Sequence, residues 1–411
     1  MGINLKNRVK GDPVIWTAII ILCVYSLLAI YSGLSNMPLK PGQSRDLFAE
    51  KELLYQFILI ALGLFIMWSV HLIKWRVFLR KTAPIILIIS WVLIIIPIVL
   101  GKDINQSNRI LPIGSITIQI FDIAKIALII YLSSIMLKGK DLKNSFKDMF
   151  LWVYLPIFIT VILILRSNLS TALICFAVSF ALMFFRPISI KSLFHFIGLS
   201  FAFCLLLIIV GKAVPEAFPR ASTWANRIVT FTHKNDVGAE DKDKIYQEEQ
   251  AKIAIGTGGV FGKGPGSGTQ RHVLPQSYDD YIFTIIVEEY GILFGAIPLV
   301  VIYLILVYRG FRISLKSDRK FSSYLVFGIT FLYVFQAFMH IAVSVDLTPV
   351  TGQPLPFVSK GGTALWIACA AFGLVLSESR LNEQERLKAL EEENEAEIED
   401  EVESDETNKY C

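Results

Sequence analysis

Apolar residues lie along this chain in uninterrupted runs, not in the alternation of a half-buried strand or the one-sided stripe of a water-exposed helix. IWTAIIILCVYSLLAIYSG (15–33) and APIILIISWVLIIIPIVLG (83–101) are each about 20 residues, long enough to cross a bilayer core. Lipid offers no hydrogen bonds, so repeated runs of this length imply helices that satisfy their backbone internally. Runs bounded by charges, Gly or Pro predict ten spans, near 14–33, 53–72, 83–101, 117–137, 150–165, 169–185, 192–211, 281–308, 322–345 and 363–378. The first run has no small-residue cleavage site after it, so it reads as a retained span and not a signal peptide.

The expected fold is therefore an all-α integral membrane protein, a polytopic bundle of about ten transmembrane helices with one long extracytoplasmic loop. Residues 1–13 form a cytoplasmic N-terminus, 14–211 hold helices one to seven, 212–280 the loop, 281–378 helices eight to ten, and 379–411 an acidic, disordered cytoplasmic tail. Composition agrees: 54% hydrophobic and 18% charged residues with a mean hydropathy of +0.57 exclude a soluble enzyme, a disordered chain and a transmembrane β-barrel.

Charge fixes the expected orientation. With the N-terminus inside, the inner segments carry 18 Lys and Arg and the short outer loops seven, which puts both termini in the cytoplasm. The net charge of +4 conceals a tail of −10, since 13 acids follow from Glu383 onward against Arg386, Lys388 and Lys409. Such a tail reads most simply as a solvated extension. Of the five cysteines, Cys23, Cys175, Cys204 and Cys369 lie inside apolar runs and Cys411 ends the chain, a spacing that suits neither a metal site nor disulfides.

The long loop is where function is expected to concentrate. Its last part has seven glycines in the thirteen positions from Gly256 to Gly268, a stretch able to wrap closely around a ligand but not to continue a regular helix. Gly262-Lys263-Gly264 lacks the Gly-Lys-Ser/Thr ending of a nucleotide-binding loop, which argues against ATP.

Ionisable residues at membrane depth are functional candidates. Asp122 and Lys125 stand three apart in the fourth span, on one helical face, where they form a structural ion pair or meet a third group such as a substrate. Glu288 and Glu289 lie about two turns into the eighth span, and adjacent positions on a helix cannot both face one partner; one of them is expected to pair with a base across the bundle. Asp279 and Asp280 precede Tyr281-Ile282-Phe283, where an Asp serves either as an N-cap or as a carboxylate at the mouth of a membrane cavity, able to take a proton from a substrate hydroxyl. Arg220, Arg227, Lys263 and Arg271 add the positive charge that a pyrophosphate would require.

The string GGVFGKGPGSGTQRHVLPQSYDDYIFTIIVEEYG (258–291), preceded by Tyr246-Gln247 and Gln250, resembles the long outer loop and following helix of the SEDS family: shape, elongation, division and sporulation. Three further segments agree in order: Arg109 with Gly114, Gln119, Asp122 and Lys125; Asn168 with Thr171 and Ala172; and TPVTGQPLPFVSKGGT (348–363). The resemblance covers the membrane body and leaves out only the tail.

The resemblance implies a glycosyltransferase of the bacterial cytoplasmic membrane that joins lipid II units at the outer face and releases undecaprenyl pyrophosphate. The family's catalytic aspartate falls on Asp280. It implies substrate contacts from Arg109, Lys125, Arg227, Lys263, Gln270, Arg271 and Ser359, with Asp122, Asp279, Glu288 and Glu289 in supporting positions. A divalent cation, Mg or Mn, is compatible with pyrophosphate departure, although no metal ligand is assigned. The glycine-rich stretch and the 348–363 segment lean toward the division member of the family, acting at the septum with a single-pass class B penicillin-binding transpeptidase and other divisome proteins; the elongation member is the alternative. No nucleic acid partner is expected. A lipid II flippase and a scaffold that only recruits the transpeptidase are the rival functions. Departures exist: the usual Arg-Trp is Arg109-Ile110, the usual Gln-Pro-Ser-Glu is Gln119-Ile120-Phe121-Asp122, the usual Gln-Pro-Asp-Leu-Gly-Thr is Arg166-Ser167-Asn168-Leu169-Ser170-Thr171, and the usual Pro-Glu is Pro275-Gln276. The lost carboxylates at Asn168 and Gln276 weaken any metal-ligand role there.

Overall fold

A computed structural model describes residues 11–33, 45–100, 110–113, 116–138, 146–185, 190–213, 239–270, 281–360 and 362–409. The helices are α1 (Pro13–Gly33), α2 (Arg45–Leu72), α3 (Arg76–Leu100), α4 (Ile120–Ile135), α5 (Phe146–Leu165), α6 (Leu169–Phe185), α7 (Ile190–Ala213), α8 (Ala239–Gly258), α9 (Ile282–Gly291), α10 (Ile297–Lys316), α11 (Lys320–Ser344) and α12 (Thr363–Lys409). Each of the ten expected spans finds a helix. Seven, namely α1, α2, α3, α5, the α9–α10 pair, α11 and α12, are long and apolar enough to cross a membrane; α4, α6 and α7 supply the other three.

Helix α11 is the central column, packed against α4, α6, α10 and α12. Its Leu325, Val326, Ile329, Leu332 and Ala337 are fully enclosed, whereas α2 and α3 turn Phe57, Ile58, Phe65, Ile85, Ile88 and Ile89 outward. That outward apolar surface is what a helix facing lipid must present. Close packing uses small residues, as between other membrane helices: a Cβ on Gly310 of α10 would stand 2.4 Å from Thr330 Oγ1 of α11.

Four features depart from the sequence expectation. The bundle is not purely helical: β1 (Ile110–Ile113) and β2 (Ile116–Gln119) pair antiparallel, with Leu111 opposite Ile118 and Pro112 opposite Thr117. Within the long loop, α8 folds as a helix because AEDKDKIYQEEQAKIAI is rich in helix formers, and its Ala251 and Ala254, three apart, bury themselves on the neighbouring helix α9. The eighth span is interrupted by a π-helical turn at Ile292–Ala296. The tail, expected as disordered, continues α12 as one helix to Lys409. Glu, Leu, Ala, Lys and Arg favour helix and no Gly or Pro follows Gly373 to interrupt it. Its base is also held, since Arg76 bonds Glu378 at 3.0 Å and Glu385 at 2.7 Å, and Ser322 donates to Glu378 at 2.5 Å.

Candidate active site

Lys125 is enclosed between α4 and α11. Its ammonium lies 2.6 Å from Asp122 Oδ1, one turn earlier, and donates to Gln336 Oε1 at 2.9 Å. The expected pair is therefore present, and the third group is Gln336. From there a polar chain runs into the segment between α11 and α12. Gln336 Nε2 donates to the carbonyl of Pro354 at 3.0 Å. One turn on, the His340 ring sits 2.8 Å from the carbonyl of Gln353, and Gln353 Nε2 donates to Thr171 Oγ1 on α6 at 3.0 Å. Asn168 Oδ1 in turn accepts the Thr171 N–H at 3.3 Å, and the N–H of Gln119 donates to Thr363 Oγ1 at 3.1 Å.

These contacts bring the three remote motifs into one buried centre. Irregular backbone at membrane depth must find protein partners, and the segment after α11 does: Tyr303 donates to the carbonyl of Pro356 at 2.6 Å, and Leu355 and Val358 are enclosed. Phe357 holds a positive φ of 66°, rare for a bulky residue, and is packed between the rings of Tyr333 and Phe372. Ser359 is buried there. Its hydroxyl accepts the N–H of Leu355 at 2.8 Å and so closes the turn. A cavity of about 20 Å³, room for one water, is lined by Asp122, Tyr333, Gln336 and Ser359.

The glycine-rich stretch builds a second cluster, and it wraps a broken helix in place of the expected ligand. Where α9 ends at Gly291, carbonyls and amides lose their helical partners. The stretch supplies new ones. The N–H groups of Lys263 and Gly264 donate to the carbonyls of Glu288 and Glu289 at 3.0 and 2.9 Å, and the carbonyls of Gly259 and Val260 accept from Ile292 and Leu293 at 3.0 Å each. The Glu288 carboxylate collects Lys263 Nζ at 2.6 Å, the Thr269 N–H at 2.8 Å and its hydroxyl at 2.9 Å, and the Gln270 N–H at 3.1 Å. The base that pairs with Glu288 thus comes from the neighbouring stretch, not from across the bundle. Glu289 accepts from Ser32 of α1, and its carboxylate, like that of Glu288, lies beside Gly268. Gln270 contributes its backbone N–H to this cluster.

Helix α9 begins with Tyr281 at its N-cap position. Arg109, Arg227, Arg271, Asp279 and Asp280 lie outside the described residues. Among the described residues no three His, Cys, Asp or Glu side chains group as a metal site. Gln336 and His340 were missed in the sequence because each is a single polar residue in an apolar run; their i, i+4 spacing on α11 was the available signal.

A model of the cell cycle protein family that unites FtsW, RodA and SpoVE matches residues 13–384. The chain is 30% identical over 316 residues to a probable peptidoglycan glycosyltransferase FtsW of Alkalilimnicola ehrlichii, covering 75% of each. To the probable peptidoglycan glycosyltransferase FtsW of Geobacter sp. (strain M18) it is 28% identical over 379 residues, covering 91% of this chain and 98% of the relative. Among solved structures, a chain of a peptidoglycan synthase complex, described for its structural coordination of polymerization and crosslinking, matches with a TM-score of 0.68 at 21% identity, over 90% of this chain and 98% of that one. The rod shape determining protein RodA of Thermus thermophilus matches with a TM-score of 0.61 at 21% identity, over 90% and 97%; both structures share the fold. Because the family match runs through all ten spans and takes in both buried clusters, the chain belongs to the cell cycle protein family of FtsW, RodA and SpoVE, the SEDS proteins.

Proposed function

We propose that this protein is a division-type peptidoglycan glycosyltransferase that polymerises lipid II at the outer face of the bacterial cytoplasmic membrane. The observation that carries the reading is the convergence of the Asp122–Lys125, Asn168–Thr171 and 348–363 segments on one buried polar centre. The probable FtsW enzymes among its relatives support the activity and the role in division over the elongation alternative.

Asp280 is the general base. The 4-hydroxyl of the acceptor GlcNAc loses its proton to this carboxylate as its oxygen attacks the anomeric carbon of the donor MurNAc, and the bond to pyrophosphate breaks in the same inverting displacement. No second nucleophilic carboxylate is needed. Lys125, with Arg109, Arg227 and Arg271, serves the anionic leaving group. Charge placement favours a polymerase over a flippase. Among the described residues, the buried charges Lys125, Glu288 and Glu289 lie in the first half of spans expected to enter from the outer face, and Asp12, Glu378 and Arg380 lie at the expected inner ends; a flippase would need polar sites along the whole crossing path. The septum is the expected location, with both termini cytoplasmic, and the likeness to a chain of a polymerising and crosslinking complex supports a class B transpeptidase as partner.

The test is polymerisation of lipid II by the full chain with its transpeptidase. Asp280→Asn is expected to abolish glycan chains while leaving insertion and folding intact; full activity in that variant refutes the base assignment.

A further inference from the structure

We infer that Glu288 is a positioning residue for this reaction: it fixes the glycine-rich stretch and thereby one end of the segment 271–280 that carries Asp280. The inference rests on Asp280 being the base.

Glu288 is fully buried two turns into α9. Its Oε1 accepts from Lys263 Nζ and from the Thr269 N–H and hydroxyl, and its Oε2 accepts from the Gln270 N–H. Charge-assisted bonds of this kind are the strong and geometrically specific ones. They end at Gln270, the residue before the segment. Its other end is Tyr281, which is buried and packs with Ala251 and Ile285 on α8 and α9. Both ends of the segment are thus tied to the same helix. The fit is close, since a Cβ on Gly268 would stand 3.0 Å from Glu288 Oε2 and 3.1 Å from Glu289 Oε1. Lys263, expected as a substrate ligand, spends its ammonium on Glu288 and on the Thr269 hydroxyl at 2.9 Å. A reacting group displaced by about 1 Å can lose about 100-fold in rate, so the tether has leverage on catalysis without touching substrate.

Glu288→Gln, Lys263→Met and Thr269→Val are compared with Asp280→Asn in the full chain with its transpeptidase, with lipid II titrated. Thr269 is exposed, so its variant keeps the fold even where Glu288→Gln does not. The expected result is a kcat lower by about tenfold in Glu288→Gln and by several-fold in the other two, with KM within about twofold in all three, and faster hydrogen exchange at Thr269 and Gln270 in Glu288→Gln while α9 stays protected. A raised KM with unchanged kcat in Lys263→Met and Glu288→Gln would make them substrate ligands and overturn the proposal. So would unchanged kcat and exchange in Glu288→Gln and Thr269→Val beside an inactive Asp280→Asn, which leaves the base assignment standing; an active Asp280→Asn removes that assignment instead, and the positioning role with it.

Discussion

Gly262 and Gly291 meet backbone to backbone: a Cβ on Gly262 would fall 2.5 Å from the amide nitrogen of Gly291, and one on Gly291 would fall 2.4 Å from that of Gly262. Both hold positive φ, 80° and 74°. The glycine-rich stretch reaches the interrupted span only because neither position carries a side chain.

Alanine at either position should therefore destabilise the protein. The left-handed backbone costs a non-glycine residue about 1–2 kcal/mol, and the forced separation of two backbones adds about 1–3 kcal/mol. Gly256→Ala is the control, since its Cβ would meet nothing within 4 Å and it sits within α8; there the change should stabilise by up to about 1 kcal/mol. Thermal unfolding in detergent checks the contrast. Equal effects at Gly256 and Gly291 would mean that the backbone contact carries no stability.

How much of this was legible differs from element to element. The spans were, because a run such as 83–101 has one physical use in a membrane protein. The Asp122–Lys125 pair was, because spacing three on a helix puts the two on one face. Gln336 as its third member was not, since pairing across helices depends on which faces meet. The glycines announced unusual backbone but not its object: Gly256 to Gly268 read as a stretch that wraps a ligand, and only the break at Gly291, invisible in an apolar run, shows that it wraps a helix end. The tail misled because its charge suggested solvation, whereas its helix propensity and the grip of Arg76 on Glu378 and Glu385 act together to order it.

The tail gives the second prediction. Truncation after Asn394 removes only residues beyond the anchored base, so stability and polymerisation should be unchanged. Truncation after Asn382 also removes Glu385, partner of Arg76 at 2.7 Å and of Arg319 at 3.7 Å. Glu385 is more than a third exposed and Arg76 keeps Glu378, so the cost should stay below about 1 kcal/mol. Lost polymerisation with normal insertion in either variant would show that the helix takes part in activity.

The link from α6 to the segment after α11 gives the third. In Thr171→Val the buried Gln353 Nε2 loses its acceptor, which should cost about 1–3 kcal/mol, whereas Thr171→Ser keeps the hydroxyl and should cost less than about 1 kcal/mol. Unfolding midpoints of the two variants decide it; a Val variant as stable as the Ser variant would mean that Gln353 finds another partner.

Lys125 gives the last prediction. Its ammonium serves Asp122 and Gln336 together, so Lys125→Met leaves an anion and an amide oxygen without their donor. Breaking a buried pair costs about 3–5 kcal/mol, and because Asp122 keeps 15% of its side-chain surface exposed the expected loss falls just below that range, at about 2–3 kcal/mol. Adding Asp122→Leu removes the orphaned charge and should restore most of that stability, since the amide oxygen alone is a smaller penalty. Activity should not return with it. Under the proposed function this cation serves the anionic lipid substrate, and neither Met nor Leu replaces it. Thermal unfolding in detergent, read beside the polymerisation rate on lipid II, separates the two roles. A double variant that folds and polymerises normally would reduce Lys125 to a structural partner of Asp122.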